Sequence, residues 1–178
     1  MYVSRAGSKL EYALTKFAVT VSGKVCADLG CSTGGFTDCL LQNGAAKVYA
    51  VDTGYGVLDW KLRRLNRVVV MERTNALHVI LPEKMDLVTV DVSWTPQRLI
   101  MPAAAGLLKT NIGDIISLVK PHYESKIAYL ALHESQKIAQ KVKDEIENLG
   151  FNISGLELSP VLGDKGGNSE YLLWVHFG

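Results

Sequence analysis

The sequence lacks several features that would place it in a specialised class of protein. Lysine and arginine together number 19 and aspartate and glutamate 18, so the formal net charge is only +1. This balance excludes a strongly basic surface overall, and any nucleic-acid-binding patch must be local. No apolar run approaches the roughly 20 residues of a membrane-spanning helix, and residues 1–5 lack the apolar stretch of a signal peptide. We therefore expect a cytoplasmic protein with no membrane partner.

Cysteine is also scarce, and its spacing does not indicate a metal site. Cys26, Cys31 and Cys39 are odd in number and lack the short pair spacing of structural metal sites. The histidines show no metal-ligand spacing either, and we expect surface or structural roles for them. They are His78, His122, His133 and His176. We predict no bound metal, and buried thiols in a reducing compartment.

The composition that is present is typical of one globular domain. Of the 178 residues, 48% are hydrophobic and 21% are charged, and a chain of this length buries roughly 70% of its unfolded surface. We find no internal repeat and no domain-sized linker. We expect a single domain over residues 1–178, in which residues 1–20 form an N-terminal helical segment that carries Lys9. The sequence does not indicate an oligomeric state.

Short apolar runs alternate with amphipathic segments, which is the pattern of an α/β protein with a mostly parallel sheet. Predicted strands cover residues 24–29, 47–52, 67–71, 86–92, 114–119, 151–158 and 171–177, and predicted helices cover 4–17, 37–43, 97–109 and 125–149. Residues 159–169 are predicted as a loop. Because the last two strands follow each other without a helix, we expect a C-terminal antiparallel hairpin. That ending favours a Rossmann-like S-adenosylmethionine (SAM) dependent methyltransferase fold over a dinucleotide-binding fold.

A glycine-rich segment after the first strand predicts a cofactor loop at the carboxyl edge of the sheet. Its spacing, G-x-x-x-G-G, differs from the G-x-G-x-x-G of dinucleotide-binding proteins. The predicted contacts in this loop are Asp28, Gly30, Ser32, Thr33, Gly34, Gly35 and Phe36. The alternative is that the glycines only form a tight turn between strand and helix.

Two further residues follow the next strands. Asp52 is placed to accept hydrogen bonds from a ribose diol. Asn75 is placed to meet an adenine edge, although an ordinary turn asparagine explains it equally well. Together with the loop, these residues predict SAM as the cofactor.

Seven motifs in order resemble the FtsJ-like RNA ribose 2'-O-methyltransferases, and within them the TlyA-type enzymes, which are historically labelled hemolysins. The motifs occupy residues 4–10, 28–38, 51–56, 72–75, 90–93, 118–121 and 168–171. The resemblance covers essentially the whole chain and implies ribosomal RNA or ribosomal subunits as the partner. TlyA-type proteins usually carry a small RNA-binding domain before the methyltransferase, where this sequence begins. We therefore expect weak binding of RNA by this chain alone.

The resemblance also implies a catalytic tetrad. The family's Lys-Asp-Lys-Glu set falls on Lys9, Asp91, Lys120 and Glu170, and Asp91 also counts among the predicted cofactor contacts. A ribose hydroxyl is weakly acidic, so its methylation needs help with the proton. We expect Lys120 to be the base, with its pKa lowered by burial and by a neighbouring cation such as Lys9. Taken singly, each residue has a structural explanation, such as an exposed charge or a helix N-cap.

Other residues are weaker candidates. Trp94 lies three positions after Asp91 and is expected to border the substrate cleft. Six basic residues are candidates for a phosphate-binding rim, although a solvated helix face explains those within residues 61–67 equally well. They are Arg5, Lys9, Lys61, Arg63, Arg64 and Arg67. Two other functions stay open at this point, a membrane-acting hemolysin and a catalytically inactive methyltransferase-like binding module. The chain lacks a spanning segment and a strongly basic amphipathic helix, which disfavours the first.

Overall fold

The computed structural model describes residues 1–110, 112–163 and 167–178. Its strands are β1 Val25–Leu29, β2 Lys47–Val51, β3 Val68–Met71, β4 Leu87–Val90, β5 Gly113–Val119, β6 Ile153–Leu158 and β7 Tyr171–Phe177. Its helices are α1 Ala6–Lys16, α2 Gly35–Gln42, α3 Trp60–Arg63, α4 Gln97–Leu107, α5 Pro121–Ser125 and α6 Leu132–Asn148.

One sheet contains all seven strands, in the order β3-β2-β1-β4-β5-β7-β6. Strands β1 to β5 run parallel to one another, whereas β7 is antiparallel to both β5 and β6. The predicted Rossmann-like fold with a C-terminal antiparallel hairpin is confirmed. Because β7 inserts between β5 and β6, the hairpin is an integral part of the sheet.

The central strands are buried on both faces, as expected of a parallel sheet that is covered by helices. All seven residues of β5 are buried. One face packs into a core with α1 and α2, to which Leu10 and Leu40 contribute. The other face packs into a core with α4 and α6, to which Ile100 and Ile146 contribute. The carboxyl ends of the strands are thereby fixed between two helical layers.

The predicted helix over residues 125–149 is wrong at its N-terminal end. Helix α5 stops at Ser125, because Lys126 adopts a left-handed conformation with φ of 58°. Asn168 then ties down the connection by accepting from Leu130 N and donating to Ala128 O, at 3.0 and 2.9 Å. Helix α6 begins only where the Glu134 carboxylate accepts a hydrogen bond from Ala131 N. A capping contact of this kind defines the first turn.

Smaller differences occur elsewhere. The predicted strand 86–92 is shorter in the structure, so Asp91 follows β4 directly. Within the predicted loop 159–169, residues 164–166 lie outside the described residues, and the described remainder contains no helix or strand. No helix in the described ranges is long and apolar enough to cross a membrane.

Candidate active site

Two adjoining cavities open at the carboxyl ends of β1, β2, β4 and β5, the edge at which open α/β sheets bind ligands. The first has a volume of about 290 Å³ and the second about 420 Å³. Gly30, Ser32, Asp91 and Ser93 line both of them. The two cavities therefore form one continuous cleft with Asp91 at its centre.

The glycines of the cofactor loop are required for different reasons. Gly30 has φ of 84°, and a Cβ atom there would lie 2.5 Å from the carbonyl oxygen of Asp91. The loop can therefore pass the end of β4 only with glycine at this position. Gly34, with φ of 100°, faces the side chains of Leu58 and Leu62 beside α3. Its role is to allow α3 to pack closely on the loop.

The predicted cofactor residues divide into three groups. Those lining the first cavity are Gly30, Ser32, Thr33, Gly35 and Phe36. Asp52 and Asn75 line the second cavity, together with Gly30, Ser32 and Asp91. Asp28 and Gly34 line neither cavity in the described part of the chain. These two residues therefore lie away from the side of the loop that faces the cavities.

Asp28 is fully buried, and its carboxylate accepts hydrogen bonds from two hydroxyl groups. Thr37 Oγ1 lies 2.7 Å from one oxygen and Thr89 Oγ1 lies 3.1 Å from the other. Burial raises the pKa of Asp28 to about 7, in spite of these bonds. The residue connects the start of the cofactor loop to α2 and β4 through these hydrogen bonds.

Asp52 anchors the loop from the side of β2. Its two carboxylate oxygens accept hydrogen bonds from Ser32 N at 2.9 Å and from Gly54 N at 2.8 Å. Asn75 accepts a hydrogen bond from Leu77 N at 3.0 Å through its side chain, so it forms the ordinary asparagine turn. Because Asn75 also lines the second cavity, both interpretations of it stay compatible with the structure.

Glu72 is a supporting residue that the sequence argument did not single out. Its carboxylate pairs with Arg63 and accepts hydrogen bonds from the backbone of Gly56, Val57 and Leu58. The Arg63 guanidinium, followed by the backbone donors, lowers the pKa of Glu72 to about 2. Glu72 holds the segment after Asp52 in place. Its position directly after β3 was the available signal, because Asp52 and Asp91 also follow β2 and β4 in this way.

The four residues of the predicted tetrad meet in the first cavity, although they come from four separate parts of the chain. Lys9 Nζ donates to Glu170 Oε2 at 2.6 Å, and both side chains are buried. Lys120 Nζ lies 2.5 Å from Asp91 Oδ1. That second contact is an ion pair without hydrogen-bond geometry, since Asp91 Oδ1 accepts no hydrogen bond from the described residues.

The expected lowering of the Lys120 pKa is wrong. Burial acts to lower the pKa, but the Asp91 carboxylate, with a smaller contribution from Glu170, outweighs burial and raises it above its ordinary value. Burial raises the pKa of Glu170, and Lys9 opposes that effect. Each lysine faces a carboxylate rather than the other lysine. Lys120 is therefore protonated near neutral pH in this arrangement.

His122 also lines the first cavity and is buried, so of the two expected roles, surface or structural, the surface one does not match its position. The residue is 9% exposed, and burial, followed by the charges of Lys120 and Lys9, lowers its pKa. Its ring centroid lies 4.3 Å from that of Tyr123. The burial of His122 depends on the short helix α5, which the sequence pattern did not predict.

Trp94 borders the cleft, as expected, and is 83% exposed. Its ring contacts Tyr123 edge to face, with the ring centroids 4.7 Å apart. Tyr123 in turn lines the first cavity beside His122. The exposed Trp94 indole thus lies at the mouth of the cleft, where the Tyr123 ring packs against it.

The predicted basic rim is smaller in the structure. Lys9 is buried against Glu170, and Arg63 pairs with Glu72. Arg67 donates to the backbone oxygen of Ala45. Arg5, Lys61 and Arg64 are exposed. The exposed part of the rim therefore lies in the N-terminal segment and at α3.

The three cysteines are buried free thiols, as predicted. Burial raises the pKa of both Cys26 and Cys39 to about 12, which makes these thiols unreactive. Among the described residues, no group of three or more His, Cys, Asp or Glu side chains is placed to hold a metal ion.

Comparison with known proteins identifies the family. The chain matches the FtsJ-like methyltransferase family over residues 2–177. It is 43% identical to YqxC of Bacillus subtilis, which is named as a candidate rRNA methyltransferase, with 99% of this chain and 66% of that protein covered. It is 42% identical to TlyA of Mycobacterium tuberculosis, named a 16S/23S rRNA (cytidine-2'-O)-methyltransferase, with 98% of this chain and 68% of that protein covered. The chain spans about two thirds of these relatives.

A solved structure agrees with the sequence comparison. A protein from Lactococcus lactis that carries the name hemolysin superposes with a TM-score of 0.91 at 39% identity, with 98% of this chain and 88% of that chain covered. The fold, the motifs and the relatives are thus consistent with one another. The chain belongs to the FtsJ-like methyltransferase family, and the expectation of SAM as its cofactor is confirmed by that membership.

Proposed function

We propose that this chain transfers a methyl group from SAM to a ribose 2'-hydroxyl of RNA, with ribosomal RNA as the substrate. The observation that carries the proposal is the meeting of Lys9, Asp91, Lys120 and Glu170 in a cavity that adjoins the cofactor loop. The names of the TlyA and YqxC relatives support the same substrate class.

The cleft fits SAM on its own chemistry. The second cavity offers the Asp52 carboxylate for a ribose diol and the Asn75 side chain for an adenine edge. Gly30 lets the cofactor loop pass close to the backbone of Asp91, which brings the loop and the end of β4 together at the cleft. Asp91 lines both cavities, and its carboxylate is held by the Lys120 ammonium at 2.5 Å, so the charges at the junction of the cavities are already in place for a polar ligand. When bound, SAM supplies an electrophilic methyl group on a sulfonium.

The chain's own residues would then orient the acceptor hydroxyl. The Lys120 ammonium, held by Asp91, donates toward the ribose oxygen and leaves an oxygen lone pair directed at the methyl group. Lys9 is fixed by Glu170 on the opposite wall and contributes a second positive charge for the ribose or an adjacent phosphate. The two carboxylates keep the four groups close to electrical neutrality, which is necessary in a buried site.

The mouth of the cleft suits a nucleotide. The exposed Trp94 ring offers a stacking surface for a base, and every base can stack in this way. The exposed Lys61 and Arg64 offer phosphate contacts near the loop. Since these charges are few, binding of RNA by this chain is weak and decreases as salt increases.

The intact ion pairs disfavour an inactive binding module, and no observation on the described residues favours the membrane-acting alternative.

The direct test is incubation of the chain with SAM labelled on the methyl group and with ribosomal subunits, followed by nuclease mapping of the mark. A ribose 2'-O-methyl group protects the adjacent phosphodiester from alkaline cleavage, and we expect this protection at the labelled nucleotide. The Lys120→Met variant serves as the negative control, after its SAM affinity has been checked. Label on a base nitrogen would refute the proposed acceptor, and the absence of label on any RNA would refute the substrate class.

A further inference from the structure

His122 contains a buried polar atom without a partner. Among the described residues, two buried side-chain atoms make no hydrogen bond, Asp91 Oδ1 and His122 Nδ1. Both residues line the first cavity. A buried polar group without a partner costs free energy, and when it occurs in a native protein it often serves a ligand or the chemistry. Asp91 Oδ1 is compensated by the Lys120 ammonium at 2.5 Å, so His122 Nδ1 is the uncompensated atom of the two, and it belongs to a residue that lines the cavity.

The other charged groups of this cavity are already paired. Lys9, from α1, is bound to Glu170, which precedes β7. Lys120, which follows β5, faces Asp91, which follows β4. Tyr123 covers the imidazole from α5. The two ammonium and two carboxylate groups balance, so the cavity around His122 carries little net charge.

His122 also has the appropriate protonation state. Burial lowers its pKa, with further lowering by Lys120 and Lys9, so the imidazole is neutral at pH 7. A neutral imidazole presents one lone pair and one N–H. Lys120, in contrast, is held as an ammonium group by Asp91 and has no lone pair to offer.

We propose that His122 is a further catalytic residue, whose imidazole accepts the proton of the target ribose hydroxyl during methyl transfer. This inference rests on the proposed function. Pro121 supports it sterically, because the proline fixes the first turn of α5 directly after Lys120 and so directs both Lys120 and His122 to the same cavity.

The step balances in atoms and charge. The ribose oxygen forms the new bond to the methyl carbon, the sulfur–methyl bond breaks with its electron pair left on sulfur, and the hydroxyl proton passes to the imidazole. One positive charge moves from the sulfonium to the imidazolium, so the net charge of the cleft does not change. A weak base suffices, because the hydroxyl proton becomes acidic as its oxygen bonds to carbon. The imidazolium then returns its proton to water after product release.

The kinetic test compares the parent with His122→Gln, whose amide keeps hydrogen-bonding capacity but does not titrate near neutral pH. We expect kcat to fall by about 100-fold or more, in the range of general-base assistance. We also expect the parent's rate to decline on the acid side, with a midpoint below the ordinary histidine value of about 6.5, and His122→Gln to lose this decline. His133→Gln, an exposed histidine on α6, is the matched control and should behave like the parent.

A second readout does not depend on turnover. Titration of the histidine ring signals by NMR, with the demethylated cofactor product bound, identifies His122 by the signal that is missing in His122→Gln. Adding an RNA fragment that contains the mapped nucleotide should shift the pKa of His122. The same fragment with a 2'-deoxyribose at that nucleotide should shift it less, since the hydroxyl contact is absent.

The outcomes separate this inference from the proposed function. If the parent methylates a ribose while His122→Gln keeps parental turnover or the same acid decline, the inference is refuted and the proposed function stands. Equal NMR shifts with both RNA fragments refute it independently. If the parent places the methyl group elsewhere, the proposed function itself fails. Unchanged melting temperature and SAM affinity of His122→Gln establish that the variant is folded.

Discussion

Lys9 and Glu170 form a buried ion pair at 2.6 Å, although 161 positions separate them in the chain. One partner comes from α1 and the other from the segment that leads into β7. The pair therefore closes the first cavity by joining the two ends of the described chain. Each charge depends on the other, because neither is compensated by water.

We expect Glu170→Gln to lower the free energy of unfolding by about 3 kcal/mol, since removal of one partner leaves a buried charge uncompensated. Urea unfolding at pH 7 measures the change. The exposed pair Lys141–Glu145 on α6 supplies the control, and Glu145→Gln should cost no more than about 0.5 kcal/mol. If both variants lose a similar free energy of unfolding, the buried Lys9–Glu170 pair contributes no more to stability than the exposed pair.

Asp28→Asn should change how stability depends on pH. The pKa of Asp28 is about 7 in the fold, above its ordinary value of 3.8, so the native state holds a proton that the unfolded chain releases. The stabilisation from this proton is complete below about pH 4 and is lost as the pH rises through about 7. By 1.36 kcal/mol per pKa unit, the loss approaches roughly 4 kcal/mol as an upper bound.

Asparagine keeps the contacts to Thr37 and Thr89 without the charge, so the variant should be more stable than the parent at pH 8 but not at pH 4. Urea unfolding at both values decides the matter. A stability difference that is the same at both pH values would contradict the raised pKa. We expect SAM to bind more weakly to this variant at pH 8, because SAM carries a sulfonium charge and the variant lacks the carboxylate charge beneath the cofactor loop.

Asp52→Ala should weaken binding of both SAM and its demethylated product. The variant loses the ribose contact and the two backbone hydrogen bonds to Ser32 and Gly54. Hydrogen bonds to a charged acceptor contribute roughly 1.5 to 3 kcal/mol, which corresponds to an increase in Kd of about 10- to 150-fold. Calorimetry measures both ligands. Glu83→Ala, at an exposed ion pair away from the cleft, is the control, and an Asp52→Ala affinity equal to that control would place the nucleoside elsewhere.

Lys120 should act by its charge. We expect Lys120→Met to reduce methyl transfer by about 100- to 1,000-fold, as for removal of a donor that stabilises the transition state. Lys120→Arg keeps the charge opposite Asp91 and should retain measurable turnover, whereas an arginine cannot give up its proton. Single-turnover rates with saturating SAM provide the comparison. If both variants are equally inactive while their SAM affinity is intact, Lys120 acts as the base and not only by its charge.

Trp94→Ala should raise the KM for RNA with a smaller effect on kcat, because the exposed ring acts on binding. Loss of one base–aromatic stack costs about 1 to 3 kcal/mol. Trp94→Phe preserves a stacking face and should restore most of the affinity. If Trp94→Ala leaves KM unchanged while SAM binding is intact, the target base does not stack on this ring.

Local patterns in the sequence predicted most of the sheet and the membership of the site. Buried strands are apolar over their whole length, and Asp52 and Asp91 follow such runs directly, so their common edge was predictable. The four charged residues were identified through motifs. The pattern could not reveal how they pair, because the contact of Lys9 with Glu170 depends on the packing of α1 against the end of the sheet.

The errors have the same physical origin. The lowered pKa expected for Lys120 required a nearby cation, but folding brings Asp91 within 2.5 Å. His122 follows a proline in a five-residue helix, and nothing in that short stretch indicates burial. The start of α6 was misplaced because Asn168, which is distant in sequence, supplies the hydrogen bonds that keep the preceding segment out of the helix.

The position of β7 between β5 and β6 has a consequence for biosynthesis. During translation the first five strands can pair as they emerge, but β6 has no neighbour until residues 171–177 leave the ribosome. The same residues bring Glu170 to Lys9, so the nascent chain forms this buried ion pair only at this late step. A chain stalled before β7 would expose the edges of β5 and β6, which are templates for aggregation. The sheet and the candidate active site are thus completed by the same step, the pairing of β7.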